Sequence, residues 1–354
     1  MSAPRDIQQA IDRAAAAARR EFLRYREQEA KDAARMLEQL AADIRRELLA
    51  LDRSGGPLSP AAMPAVRDIL ARQIDAWQQQ WSGRMDSTLS QSAQLGAGVL
   101  QSWDTAASTA AMVQSVMQYM RTFRAADGLQ LSDRIWRTRA AAAEDLQAAI
   151  ENGIMRGQSS MQAAQAYLAQ GSAVPADILA GERAAHVPAL ASQAERLLTN
   201  PHGDVLYNVQ RVIRTESNRA FTESYVASVA THPDVVGVKF NLSPAHPKVD
   251  ICDFYAHANL HGLGPGIYPP GQHPYPAHPN TLSYLTTVFR DQVSDADRDG
   301  QQSAFEWLKD QSAVRQDAVL GSTGKGKLFR EGQLQESELR TPLHRVQSRL
   351  GIAS

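Results

Sequence analysis

One cysteine, Cys252, stands in a chain of 354 residues, which excludes an intramolecular disulfide framework and fits a reducing compartment. Aromatic residues are scarce, at 6% against 43% hydrophobic residues overall, so aliphatic side chains must fill much of any core. No charge excess exists either: 37 basic residues face 38 acidic ones, a formal net charge of −1. Without a global basic field, contact with nucleic acid has to come from a local patch. No apolar run approaches the ~20 residues that cross a bilayer. The opening MSAPRDIQQAIDRA turns charged at once and lacks the apolar core of a secretory signal. Tandem repeats and low-complexity tracts are missing. These absences lead us to expect a soluble protein, made inside the cell, with room for roughly two or three domains.

Helical periodicity dominates what is there. Residues 5–52 predict one long helix, with Ile7, Ile11, Ala15, Ala18, Phe22, Tyr25, Ala33, Leu37, Leu40, Ile44, Leu48 and Leu51 recurring at threes, fours and sevens. Its polar face alternates in sign, as i,i+4 pairing favours. The apolar stripe needs a partner, either another helix of the same chain or another subunit. RSGGPLSP at 53–60 ends this helix and opens the next, with Ser59 as N-cap and Pro60 at the first helical position. A weakly patterned helical block follows to about residue 125, and ADGLQ at 126–130 reads as a turn. LSDRIW then starts a cleaner helix, with Ser132 as N-cap, Asp133 in its first turn and Gly153 and Gly157 near its end. A short helix is expected at 159–171, a loop with helical pieces at 172–200, and a helix at 204–230. VVGVKFNL at 235–242 has the period of two of a strand. The expected fold is mainly α with a small α+β C-terminal domain. The expected division is a long amphipathic helix at 1–55, a helical region at 56–200 and an α+β domain at 201–354.

That last region holds the most unusual stretch, VDICDFYAHANLHGLGPGIYPPGQHPYPAHPNTLSYL at 249–285. It carries Cys252, four of the nine histidines (His257, His261, His273, His278), six prolines and four glycines, with His246 just upstream. Thiolate and neutral imidazole are the usual ligands of zinc, so Cys252, His257, His261, His273 and His278 form a candidate metal set. Against it stand the single cysteine and the glycines at 262, 264 and 266, which break the helix that would align His257 with His261. The preferred reading is an irregular loop pinned by prolines, with its histidines in hydrogen bonds. A Cys252 nucleophile paired with a histidine base lacks any local signature.

Other constellations are weaker. RVIRTESNRAF at 211–221 places Arg211, Arg214, Glu216 and Arg219 on one helix, with Glu216 in a gap of the apolar stripe and within i,i+3 reach of Arg219. A buried carboxylate there needs a partner. Glu336 and Glu338 form an E-x-E pair of the kind used by mono-ADP-ribosyltransferases, and Arg214 nominally supplies the upstream arginine. No Ser-Thr-Ser-like strand lies between, so the pair reads as a solvated face. GKGK at 324–327 with Arg330 reads as a small, flexible basic patch without the GxxxxGK[ST] pattern of a P-loop, able to touch phosphates through Lys325, Lys327 and Arg330.

Taken in order, LSDRIW, GQSS at 157–160, RTESNRA at 214–220, DICDFYAHANLHGLGPGIYP at 250–269, AHPNT at 277–281 and VLGSTGKGKLFREG at 319–332 resemble the phage Mu protein F-like, SPP1 gp7-like head morphogenesis proteins. The resemblance covers about 130–345. It implies a structural role in prohead assembly and in DNA packaging or delivery, without an enzymatic activity or a required cofactor. It implies partners too: a portal protein, a major capsid or scaffold protein, and packaged DNA through non-specific contacts. It places the protein in the virion after assembly and in the host cytoplasm when synthesised. Arg214, Glu216, Arg219, Asp250, Asp253, Gly264, Gly266 and Pro279 are the structural or partner-binding residues it marks. Many relatives carry further cysteines after the His-Pro pair, an arrangement that looks like a metal knuckle. Here Thr281 and Ser283 stand at those places. Zinc thus remains an alternative to a metal-free loop. The long N-terminal helix is the expected docking or oligomerisation element. The alternative of another class is a phage-encoded metal- or Cys/His-dependent hydrolase, or an ADP-ribosyltransferase-like toxin.

Overall fold

The computed structural model describes residues 5–52, 56–124 and 128–352. Parts of the expected helix stop at 53–60 and of the turn at 126–130 fall outside them. The architecture is mainly helical, with one small antiparallel sheet in the C-terminal part. The chain groups into two compact units that are discontinuous in sequence. Unit 1 takes Met1–Arg26, Thr88–Leu131 and Arg214–Ser354; unit 2 takes Glu27–Ser87 and Ser132–Ile213. The sequence-based boundary near 200 therefore falls within unit 2. The chain changes unit inside α1 (Arg5–Leu51), α2 (Met63–Ala97) and α7 (Asp204–Val229), and again after the first residue of α4 (Leu131–Ala169).

Among the described residues the regular elements of unit 2 are helices: parts of α1, α2 and α7, nearly all of α4, and the short α5 (Ala176–Arg183) and α6 (Val187–Thr199). The stretch at 172–200 is thus more helical than expected. Helix α4 runs through Gly153 and Gly157 without a break, and Ser132 lies inside it rather than capping it. The glycines serve close packing. A Cβ at Gly157 would meet the Cβ of Ala185 at 2.2 Å, and one at Gly153 would meet Leu190 Cδ2 at 2.6 Å. Leu146, Ile150 and Ile154 of α4 are fully buried, as are Leu190 and Leu198 of α6. Around this core Arg84 clasps Glu29 through two hydrogen bonds of 2.7 and 2.8 Å, and Arg67 does the same to Glu151 at 2.6 and 3.0 Å.

Unit 1 contains α3 (Ala110–Thr122) and the sheet. Strand β1 (Val235–Asn241) lies between β2 (Ile267–Tyr268) and β3 (Tyr284–Phe289), antiparallel to both. Between β1 and β2 runs α8 (Ile251–His257). After β3 come five short helices: α9 (Asp295–Asp299), α10 (Ala304–Lys309), α11 (Ala313–Leu320), α12 (Thr323–Arg330) and α13 (Leu343–Leu350). The alternation that predicted β1 holds for Val238 and Phe240, both fully buried in the main core. It fails at Val236. The pairing with β3 shifts register between Val235 and Gly237, and such a bulge reverses parity. Val235 therefore joins the main core, while Val236 packs on the opposite face with Ile267, Val288 and Val293.

The apolar stripe of α1 is packed within the chain. Ile11 and Phe22 enter the core of unit 1, where Phe22 stacks on Phe221 at 4.5 Å; Leu37, Leu40, Ile44 and Leu48 are buried in unit 2. Of the two partners open to that stripe, the structure provides the one in cis. The expected docking or oligomer helix thus has no free apolar face to offer at these positions.

Gly157→Val forces apart the contact with Ala185 and is expected to destabilise the protein by about 1–3 kcal/mol, read by urea denaturation. Gly157→Ala combined with Ala185→Gly returns the lost volume and should recover most of the stability lost in Gly157→Ala alone.

Candidate functional site

Helix α8 has seven residues, too few to persist alone, so its ends and its buried face decide whether it forms. Asp250 caps it in an extended conformation: its Oδ1 accepts from the Cys252 N–H at 2.7 Å. In return Asp253 Oδ2 accepts from the Asp250 N–H at 3.0 Å, which completes a capping box. Asp253 is buried, and a buried carboxylate requires donors. His246 supplies one through Nε2–H at 2.9 Å, and Arg315 stands 3.7 Å from the other oxygen. On the inner face Phe254 packs edge-on against Trp307 with centroids 5.2 Å apart, and Tyr255 lies 5.9 Å from Phe240 of β1.

The glycine-rich exit from α8 folds straight back onto it. Gly266 N–H donates to Ala258 O at 2.9 Å, Gly266 O accepts from Phe240 N–H at 2.8 Å, and the Tyr268 hydroxyl donates to Tyr255 O at 3.0 Å. Gly264 and Gly266 both have positive φ, +111° and +74°, and a Cβ at Gly266 would sit 2.5 Å from Ala256 O. Glycine is required there on both counts. Through this wrap the HANLHGLGPG segment lays β2 along β1.

The expected metal set does not assemble as a whole. His257 is exposed and donates from Nδ1 to the carbonyl of Asp253 at 2.7 Å, within its own helix. His261 packs edge-on against Tyr268 at 5.4 Å. His273 lies beside Glu223. Only Cys252 and His278 meet, and the residue that joins them is Asp250, with ligand atoms within 4.8 Å of one another. A second group, His246, Asp250 and Asp253, shares that same aspartate. Burial, and then the neighbouring Asp250 charge, push the Cys252 thiol up to about 12, so it is protonated at neutral pH and a poor nucleophile.

Glu338 is buried and gripped by Arg349 at 2.5 and 2.7 Å, while Glu336 Oε1 accepts from the Ala304 N–H at 2.7 Å; the E-x-E pair is structural rather than a solvated face. GKGK belongs to helix α12, capped by Ser322, and is not a flexible patch. Lys325 is 4% exposed and its Nζ donates to Leu339 O at 2.6 Å, so it is withdrawn from any phosphate contact. Burial pushes its pKa down to about 8. Lys327 is exposed, 3.8 Å from Glu331, and Arg330 is paired with Asp317 at 2.8 Å. Arg214 is half-buried and Pro279 is exposed.

The α7 motif forms a buried charge cluster. Arg219 Nε lies 3.2 Å from Glu216 Oε2, both side chains nearly inaccessible, and the guanidinium rests 4.1 Å from the ring centroid of Phe123. One turn on, Glu223 faces His273, with Nε2 3.8 Å from Oε2. Burial pushes the Glu223 carboxyl up to about 7, against the pull of Arg219, and pushes His273 down to about 4. Tyr119 of α3 completes this surround, its hydroxyl pushed up to about 12 by burial and by the Glu223 charge. Sequence patterning pointed to Glu216 but not to Glu223 or to the side chain that His273 meets. A carboxylate at i+4 from a paired arginine was the available signal.

No protein-family model, no curated protein and no solved structure matches this chain.

Two predictions follow from the geometry. Gly266→Ala places a methyl group against Ala256 O in a left-handed backbone and should cost about 2 kcal/mol or more, measured by thermal or urea unfolding. For Glu223 the folded pKa is raised, so the unionised acid favours the folded state and stability is lost as pH climbs from about 4.5 to about 7. His273 acts with the opposite sign, its depressed pKa adding stability as pH climbs from about 4 to about 6.5. The two slopes largely cancel in the wild type. Glu223→Gln removes only the first, so its unfolding free energy relative to wild type should increase from pH 4.5 to pH 7 by on the order of 1–3 kcal/mol.

Proposed function

We propose that the chain is a phage or prophage minor head protein that acts structurally in prohead assembly and in DNA packaging or delivery at the portal. The observation that carries this reading is the use made of the DICDFYAHANLHGLGPGIYP segment. Its distinctive residues cap a helix, fill a core or turn the backbone, and together they make one compact element. A residue order that resembles the head morphogenesis proteins is thereby tied to shape. The proposed partners are a portal protein and a major capsid or scaffold protein, with the virion as destination and the host cytoplasm as the place of synthesis. Since the α1 stripe is occupied, docking falls to exposed side chains. A non-specific DNA contact is restricted to exposed cations such as Lys327.

The alternative reading is a metal- or Cys/His-dependent hydrolase or an ADP-ribosyltransferase-like toxin, and its Cys-nucleophile and E-x-E forms have less behind them. The Cys252 thiol is protonated at neutral pH, and both glutamates of the E-x-E pair are engaged in structural contacts. Particles purified from cells carrying the gene decide between the readings. Mass spectrometry should find the chain in proheads and mature heads at a small, fixed ratio to portal protein. Its absence from washed particles, together with secretion or a toxic effect on neighbouring cells, would overturn the proposal.

A further inference from the structure

Asp250 is used twice. Its Oδ1 caps α8 by accepting from the Cys252 N–H, while Oδ2 points away from the helix to His278 Nε2, 3.2 Å away. The other nitrogen of that ring is committed, since His278 Nδ1 donates to Pro279 O at 2.8 Å. A neutral imidazole carries one N–H. With the proton on Nδ1, Nε2 presents a lone pair to a carboxylate oxygen, a repulsive contact unless a proton or a metal cation stands between them. Ligand histidines of metal sites have this arrangement, with the remote N–H given to a carbonyl and the lone pair turned inward. The chain's one thiol closes the group. Asp250 Oδ2 or Oδ1, Cys252 Sγ and His278 Nε2 lie within 4.8 Å of one another, and Cys252 is fully buried while Asp250 and His278 reach solvent.

The neighbouring Asp253 is already provided for by His246, by the Asp250 N–H and by Arg315. Asp250 is flanked instead by two imidazoles, His246 Nε2 at 3.9 Å and His278 Nε2 at 3.2 Å, and by the Cys252 thiol. A mixed N, O, S donor set suits a borderline-soft ion and disfavours magnesium or calcium. Zinc bonds of about 2.0–2.3 Å would draw the three ligand atoms together by roughly 1 Å, within reach of side-chain rotation.

We propose that Asp250, Cys252 and His278 bind one zinc-class divalent cation, with a fourth position open to solvent and with His246 and Asp253 buttressing the aspartate. Binding exchanges the thiol proton of Cys252, released to solvent, for a sulfur–metal bond. The ion would fasten the start of α8 to the return of the chain at 278–283, and so close the long loop between them. Sequence spacing pointed to Cys252 and His278 but supplied histidines that the fold sends elsewhere; the carboxylate is the ligand that only the structure brings in. This proposal is independent of the minor-head reading.

Cobalt(II) tests it on the full-length protein after chelator treatment. Because the chain has a single cysteine, a thiolate-to-cobalt charge-transfer band reports Cys252 alone. The expected result is saturation at one equivalent, with tetrahedral ligand-field bands and displacement by zinc. Cys252→Ser should abolish the charge-transfer band, and Asp250→Asn and His278→Gln should weaken binding at least tenfold. His257→Gln should bind like wild type. Folded wild-type protein that gives no band at saturating cobalt overturns the proposal without recourse to any variant, and assigns the His278–Asp250 contact to an imidazolium ion pair. A band retained at full strength in His278→Gln overturns the ligand set.

Discussion

Unit 1 depends on whether two turns of helix can be made to start at Asp250. Helix α8 cannot form by itself, and what forms it is a pair of reciprocal side-chain caps together with three buried residues on its inner face. Once α8 is in place its carbonyls become anchor points. Ala258 O holds Gly266, and Tyr255 O holds the Tyr268 hydroxyl, so β2 is laid on β1. The same helix turns Phe254 toward Trp307 of α10, and its capping residue Asp253 faces Arg315 of α11. Loss of the caps would therefore be felt in the sheet and in the C-terminal helices, not only in α8.

Much of this was legible in the sequence where a pattern is local. The span of α1 and the strand at 235–241 follow from periodicity. What was not legible depends on contacts far along the chain. Gly153 and Gly157 look like helix ends because glycine weakens a helix, yet α4 continues since Ala185 and Leu190 need the space. GKGK looks flexible for the same reason, yet Ser322 caps it and Lys325 is drawn inward to Leu339 O. Strand β3 was concealed inside the tail of the histidine loop, because YLTTVF is too short to separate from its surroundings without knowledge of its partner β1. Periodicity alone does not place Val236, because the bulge that turns it to the second face is a property of two paired strands.

The candidate site divides in the same way. Capping by Asp250 and Asp253, three residues apart, is a local relation, and the resemblance marked both. The clustering of histidines in sequence misled, because proximity along a chain rich in glycine and proline does not carry over into space. His257, His261 and His273 end up on a helix exterior, on an aromatic ring and against α7, respectively. His246, outside the quoted loop, comes closer to Asp250 than these are brought.

The two polar clusters of unit 1 solve one electrostatic problem in different ways. Around α7 burial works against charge: it raises the Glu223 carboxyl to about 7 and lowers His273 to about 4, so both neutral forms are favoured, while Arg219 is paired with Glu216. Around Asp250 the acceptor of the Cys252 N–H is a carboxylate oxygen, and charge assistance strengthens such a cap. That carboxylate stands beside imidazole and thiol: His278 Nε2 at 3.2 Å, His246 Nε2 at 3.9 Å, and Cys252 Sγ. A carboxylate held in place as a helix cap, and surrounded by groups that are ligands as readily as they are hydrogen-bond partners, is the arrangement on which the proposed cation site rests.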